Sequence, residues 1–259
     1  MLQIRTGVEL AGLKLPFRKG LLTAAQLGAE GVEIDARNEL KPEDLSQTGV
    51  RHVRKMLDDF NLRVAAVAFR TRRGYAVRDE LDRRIDATKQ ALKLAYDLGA
   101  RVVVNHIGRI PPADSPDWPV FVGALTDLGR YGQKVGALLA AETQDDSLED
   151  WKRLFDALPA GSLGIAYSPA PLVMNNHSPA QVARALGGEV LHVHVNDATR
   201  DVASRRGLET ELGRGSVDWP EILGVLEERE YHGWFTVQAR AGGNPVHEVA
   251  DALSYLKSL

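Results

Sequence analysis

An eightfold alternation of short apolar runs with helix-length segments constrains this 259-residue chain more than any other feature. The runs fall at 4–10, 31–35, 63–68, 101–105, 137–142, 162–167, 190–195 and 234–238, and most are rich in Val, Ile, Leu and Ala. Between them lie segments with helical signals at 17–27, 80–98, 121–133, 219–230 and 244–259. Three more are marked by caps: Thr48 opens one that runs to Phe60, Ser147 one that runs to Leu158, and Ser178-Pro179 one that runs to Leu186. Two stretches echo each other, AAQLGAEGVEI (24–34) and LAYDLGARVVV (94–104). Each closes a helix with Leu-Gly-Ala and then opens a buried strand. Strands this uniformly apolar suit a parallel sheet covered by helices on its outer face. No linker-like composition interrupts the alternation. The pattern predicts an α/β protein, a single (β/α)8 barrel spanning residues 1–259, rather than a doubly wound sheet.

Composition narrows the chemistry. The chain has no cysteine, which excludes disulfides, thiolate metal sites and a cysteine nucleophile. A formal net charge of −3 argues against a general nucleic-acid binder. No apolar stretch is long enough to cross a membrane, and MLQIRTGVEL lacks the pattern of a signal peptide. A cytoplasmic location is the expectation, and a homo-oligomer is compatible with it.

In a barrel of this kind the chemistry sits where strands end and loops begin. The stretch VLHVHVNDATR (190–200) illustrates this. Side chains alternate across a strand, so His192 and His194 share one face and Val193 and Val195 the other. The strand then runs into a loop bearing Asn196, Asp197 and Arg200. Other polar residues at predicted strand ends are Glu33, Asp35, Arg70, Arg72, Arg73, Asn105, His106, Glu142, Ser168 and Gln238. Glu142 closes the apolar run LLAA, which suits a ligand or a general base. His192, one layer deeper than His194, reads as a hydrogen-bonded core histidine. Glu33 suits either substrate orientation or an ion pair. The arginines of FRTRRGY (69–75), with Arg200, Arg205, Arg206 and Arg214, could grip an anionic substrate through their guanidinium forks. Gly213 and Gly215 could let a loop approach a ligand. His106 could serve as an acid or base, on location alone.

The blocks LGAEGVEID, LLAAET, LHVHVNDATR, ELGRGSVDWPEIL and YHGWFTVQ resemble the xylose-isomerase-like barrels. These include sugar-phosphate isomerases and epimerases, hydroxypyruvate isomerases and the related family-two AP endonucleases. The resemblance runs through nearly the whole chain. It implies a divalent metal, commonly Mn²⁺, Mg²⁺, Co²⁺ or Zn²⁺, held by Glu, Asp, His and Glu after the fifth to eighth strands. It also implies glutamates that move a proton through an enediolate. On this chain the four metal positions fall on Glu142, Ser168, His194 and Gln238, and the two catalytic carboxylates on Glu142 and Gln238. Arg200 matches a substrate-binding arginine, and Asp197 a polar position after the metal histidine.

Two of those positions depart from the pattern. Ser168-Pro169 stands where the family reads Asp-Pro, and Gln238 where it reads Glu. Hard divalent cations favour anionic oxygen ligands. A carboxamide also cannot act as a general base in the useful pH range. The resemblance therefore implies a sugar or sugar-phosphate isomerase or epimerase, with Glu142 as the main proton-transfer group and Arg200, Glu33, His106 and Asp197 around the substrate. The two departures point instead to a catalytically silent barrel that keeps its pocket for a sugar, a sugar acid or a protein partner. Endonuclease activity is disfavoured by the absence of recognisable additional ligands.

Overall fold

The structure, a computed structural model, describes residues 2–201, 206–239 and 243–259. Eight parallel strands follow one another around a closed barrel. They are β1 (Arg5–Glu9), β2 (Gly31–Asp35), β3 (Arg63–Ala68), β4 (Val102–Asn105), β5 (Leu138–Glu142), β6 (Gly164–Tyr167), β7 (Val190–Val195) and β10 (Trp234–Val237), which pairs back onto β1. An antiparallel hairpin, β8 (Asp197–Asp201) and β9 (Arg206–Thr210), rises directly from the end of β7. Helices α1 (Phe17–Gln26), α2 (Gln47–Asp59), α3 (Leu81–Asp97), α4 (Trp118–Val135) and α5 (Leu148–Ala157) each follow a barrel strand. They are succeeded by α6 (Pro169–Met174), α7 (Pro179–Leu186), α8 (Trp219–Glu228) and α9 (Pro245–Ser258). No helix among the described residues is long and apolar enough to cross a membrane.

The two echoing segments fold alike. After α1, Gly28 takes φ +77° and its N–H reaches Ala25 O, while Ala29 N–H reaches Ala24 O. After α3, Gly99 at φ +84° and Ala100 repeat both bonds, to Tyr96 O and Ala95 O. This left-handed helix stop favours glycine and turns the chain into the next strand within three residues.

Register sets the barrel interior. Glu9 pairs with Glu33, Glu33 with Ala66, Ala166 with His192, and His194 with Thr236. Register partners in a parallel sheet share a face, so these polar groups point inward together with small side chains. Ala66, Val104, Ala140 and Ala166 form their own apolar cluster there. Their small volume leaves room for two imidazoles and a carboxylate inside the barrel.

Local boundaries differ from expectation at four places. Ser46, not Thr48, caps α2, its Oγ accepting from Gly49 N–H at 3.2 Å. Helix α4 starts three residues before 121, because Pro119 suits a first helical turn. Helix α6 was not foreseen: six residues are too few for a periodic signal, although Ser168-Pro169 marks its start. The polar loop expected after His194 is instead strand β8, whose pairing with β9 no local pattern announces. The caps at Ser147 and Ser178 are present as expected, and Asp150 completes a capping box with Ser147.

Candidate active site

The C-terminal mouth of the barrel is organised around one guanidinium. Arg70, just beyond β3, contacts three carboxylates from three strands. Its Nη1 lies 3.1 Å from Glu9 Oε1, its Nη2 3.2 Å from Glu33 Oε1, and its Nε 2.8 Å from Glu142 Oε1. Glu33 is fully buried, and its other oxygen is shared by the two strand-β7 histidines. His194 Nε2 stands 2.8 Å from Glu33 Oε2 and His192 Nε2 3.1 Å from it. His194 Nδ1 faces Glu142 Oε1 at 3.8 Å.

These contacts split the protonation behaviour of neighbouring groups. Burial opposes charge on Glu33, but His194, His192 and Arg70 overcome it and hold the carboxyl well below the usual carboxylate range. Burial and the negative Glu33 push Glu9 upward in spite of Arg70. Burial lowers His192, and its contact with Glu33 does not restore it. For His194 burial also acts downward, yet Glu33 outweighs it and the imidazole is raised. Burial disfavours the Arg70 cation too, but Glu33, Glu142 and Glu9 reverse that and raise it. Two adjacent carboxyls displaced in opposite directions are a common arrangement at acid–base sites.

A neutral wall faces this cluster. Asn196 Nδ2 donates to Ser168 Oγ at 2.8 Å and to Gln238 Oε1 at 2.9 Å, and its Oδ1 accepts from Ala170 N–H. Gln238 Nε2 in turn donates to Glu9 Oε1 at 3.3 Å. Glu9, Asn196 and Gln238 also border a cavity of about 740 Å³ between the β8–β9 hairpin and α9. That volume suits a small polar ligand.

The remaining predicted residues sit apart from the cluster. The Asp197 carboxylate accepts four backbone N–H groups, from Ala198, Gly213, Gly215 and Val217, at 2.8–3.1 Å. It fastens the ELGRGSV segment; a Cβ on Gly215 would lie 1.9 Å from Asp197 Oδ1, so the close approach of that glycine is to Asp197. Arg200 Nη1 donates to Met174 O and ties the hairpin to α6. His106 Nδ1 lies 3.1 Å from Thr71 O, in the loop after β3. Arg73 pairs with Asp79 and Arg214 with Glu211. Arg72 and Arg206 are exposed, and Arg205 lies outside the described residues.

Three members of the site escaped sequence reasoning. Glu9 ends β1 as Glu33 nears the end of β2, and its strand-end position was the available signal. Asn196 was seen only as part of a loop. Arg70 was read as a grip for an external anion, whereas its partners are the protein's own carboxylates.

The ligand set expected for a divalent metal does not fit one as arranged. Glu142 Oε1 is already 2.8 Å from the Arg70 cation, and the Ser168 and Gln238 oxygens accept from Asn196. A divalent ion held by Glu142 would have to share that carboxylate with the guanidinium and would be repelled by its charge. Glu33, His192 and His194 form a second group, with ligand-type atoms within 4.8 Å of one another. There the Glu33 carboxylate is already shared among two imidazoles and Arg70.

Comparison with known proteins supplies the family. An inosose dehydratase of Clostridium beijerinckii is 23% identical across 95% of this chain and 90% of its own length. The solved structure of a xylose isomerase domain protein from Planctomyces limnophilus superposes with a TM-score of 0.86 at 21% identity, covering 99% of this chain and 96% of that one. A xylose isomerase-like TIM barrel protein from Mycobacterium smegmatis, solved in complex with magnesium, gives 0.78 at 17% identity, over 93% and 87%. The family profile described as xylose isomerase-like TIM barrel matches residues 21–259. The chain belongs to the xylose isomerase-like TIM barrel family.

Proposed function

We propose that this protein is an enzyme that acts on a sugar or sugar-like carbonyl compound by moving a proton on the carbon next to the carbonyl. The observation that carries this reading is the convergence of Glu9, Glu33 and Glu142 on Arg70 beside His194, with Glu9 of that cluster also lining a cavity of about 740 Å³. The chemistry is common to several outcomes. Loss of water, as the name of the inosose dehydratase implies for that relative, can begin with cleavage of a C–H bond beside a carbonyl. Epimerisation and isomerisation through an enediolate begin with the same cleavage.

In this reading Glu142 takes the proton. The C–H bond breaks, the proton moves to a Glu142 oxygen, and the electron pair passes to the carbonyl oxygen. Return of the proton to the same or the neighbouring carbon gives an epimer or isomer. Departure of a β-hydroxyl with a proton, as water, gives the dehydrated product. Gln238 and Ser168 offer neutral hydrogen-bonding groups to substrate hydroxyls, and Glu33 with His194 holds the floor rigid. Asp197, Arg200 and His106 are engaged with backbone groups and shape the loops around the mouth.

The test is proton exchange in D₂O, followed by NMR, over a panel of ketoses, aldoses, sugar acids, sugar phosphates and inososes. The expected result is loss of a carbonyl-adjacent proton signal in at least one compound, abolished by Glu142→Gln. A second reading, a barrel that binds such a compound without transforming it, draws on the neutral wall, where Asn196 engages both Ser168 and Gln238. Saturable binding with no exchange anywhere in the panel would select it.

A further inference from the structure

We propose that the Arg70 guanidinium is the resident cation of the barrel mouth, and that the site works without a divalent metal. The inference concerns the same mouth as the proposed function, but its test reads metal and not turnover.

The charge arrangement carries the argument. Glu9, Glu33 and Glu142 come from three strands, β1, β2 and β5, and each directs an Oε1 atom at a different nitrogen of one side chain. Carboxylates crowded so closely need a positive centre, and a metal is one way to supply it. Here it is supplied covalently. Arg70 reaches the cluster from the first residues after β3, and its planar fork meets three acceptors that lie in different directions.

The residues that would compete for a metal point the same way. The two positions where the family supplies further carboxylates carry a hydroxyl and a carboxamide, and both oxygens accept from Asn196. Relative to a divalent ion with three carboxylates, removal of two carboxylates and addition of one guanidinium change the charge near Glu142 coherently. Loss of the anions weakens metal binding, and the cation repels what remains.

The substitution also leaves chemistry available. A guanidinium carries five N–H donors; Nε donates to Glu142 and Nη2 to Glu33, while Nη1 lies 3.1 Å from Glu9 as an ion pair. The side chain remains 33% exposed. The N–H groups not engaged by Glu142 and Glu33 can stabilise negative charge on a substrate oxygen, the task a Lewis-acidic metal would otherwise perform.

The experiment measures Mn²⁺ binding by electron paramagnetic resonance, with the free-ion signal read in the presence of wild type, Arg70→Met and Arg70→Lys. Wild type is expected to leave the signal of equimolar Mn²⁺ at 100 µM essentially unchanged, and Arg70→Lys to behave the same way. Arg70→Met, with its carboxylates uncompensated, is expected to remove most of the signal and to gain thermal stability on adding Mn²⁺. If Arg70→Met does not fold, the wild-type titration still decides. Stoichiometric Mn²⁺ binding by wild type, lost in Glu142→Gln, overturns the proposal. So does a folded Arg70→Met that binds no more Mn²⁺ than wild type.

Discussion

Glu33 and Asp197 are both buried carboxylates, 0% and 1% exposed, and both lie near the C-terminal ends of barrel strands. Their partners could hardly differ more. Glu33 faces a cation and two imidazoles, groups that can exchange protons or be displaced by a ligand. Asp197 faces four backbone N–H groups that cannot change their charge. The first arrangement makes a responsive floor for the mouth; the second makes a clasp between the β8–β9 hairpin and the segment before α8. Position at a strand end marks a carboxylate for attention, but the chemistry of its partners decides what it does.

The contrast can be broken most forcibly at Arg70. Arg70→Met leaves three carboxylates facing one another and is expected to cost about 3–5 kcal/mol, as removal of one partner of a buried ion pair commonly does. Arg70→Lys is expected to recover part of it. Urea denaturation checks both, and a loss below about 1 kcal/mol for Arg70→Met would remove the guanidinium from the centre of the account.

At the clasp, Asp197→Ala strands its N–H partners and is expected to cost about 3 kcal/mol, in line with the penalty for unsatisfied buried polar groups. Asp197→Asn keeps one acceptor oxygen and is expected to cost less. Gly215→Ala collides with the same carboxylate, so the double variant Gly215→Ala, Asp197→Ala should be less destabilised than the sum of the singles. Additive losses in that cycle would mean that the glycine is required for another reason.

A subtler difference lies in pH dependence. Glu33 in the folded protein is held well below its ordinary value of 4.5. Its contribution to stability is therefore present above about pH 4.5 and lost as pH falls through the depressed folded value. Subtracting the stability profile of Glu33→Gln from that of wild type should reveal this acid limb. Glu9 is raised in part by the negative Glu33, so the difference also carries the relaxation of Glu9, which has the opposite sign. Asp197→Asn should leave the Glu33 acid limb in place. An acid limb of equal depth in Glu33→Gln would contradict the assignment.

The smallest expected effect calibrates the others. Ser46→Ala should cost about 1 kcal/mol, because the hydroxyl caps α2, while Thr48→Ala in the same turn should cost only a few tenths. Equal losses would restore Thr48 as the cap.

Much of the barrel was legible because its signals are local. Apolar strands, helix caps and the Leu-Gly-Ala stops each act within a few residues, and the fold repeats them. His192 and His194 could be assigned to one face from strand geometry alone. The β8–β9 hairpin and α6 were not legible, being short and polar or lacking a period. The site was legible as a set of strand ends but not as a set of partners. Glu9 meets Gln238 because β1 closes on β10, a contact that spans nearly the whole chain, and meets Arg70 because β2 alone separates β1 from β3. Arg70 reads as a surface cation until three strands bring carboxylates to it. Asp197 reads as a site residue until the glycines of ELGRGSV fold back over it.

The central claim is that a guanidinium, not a metal ion, centres the charges of this mouth. The most direct measurement is the ¹H–¹⁵N signal of the Arg70 Nε–H in wild-type protein, assigned by its loss in Arg70→Lys, during titration with Mn²⁺. The account predicts a slowly exchanging Nε–H, held by Glu142, whose intensity persists at one equivalent of the paramagnetic ion. Bleaching of that signal at substoichiometric Mn²⁺ would place a metal beside Arg70 and contradict the account.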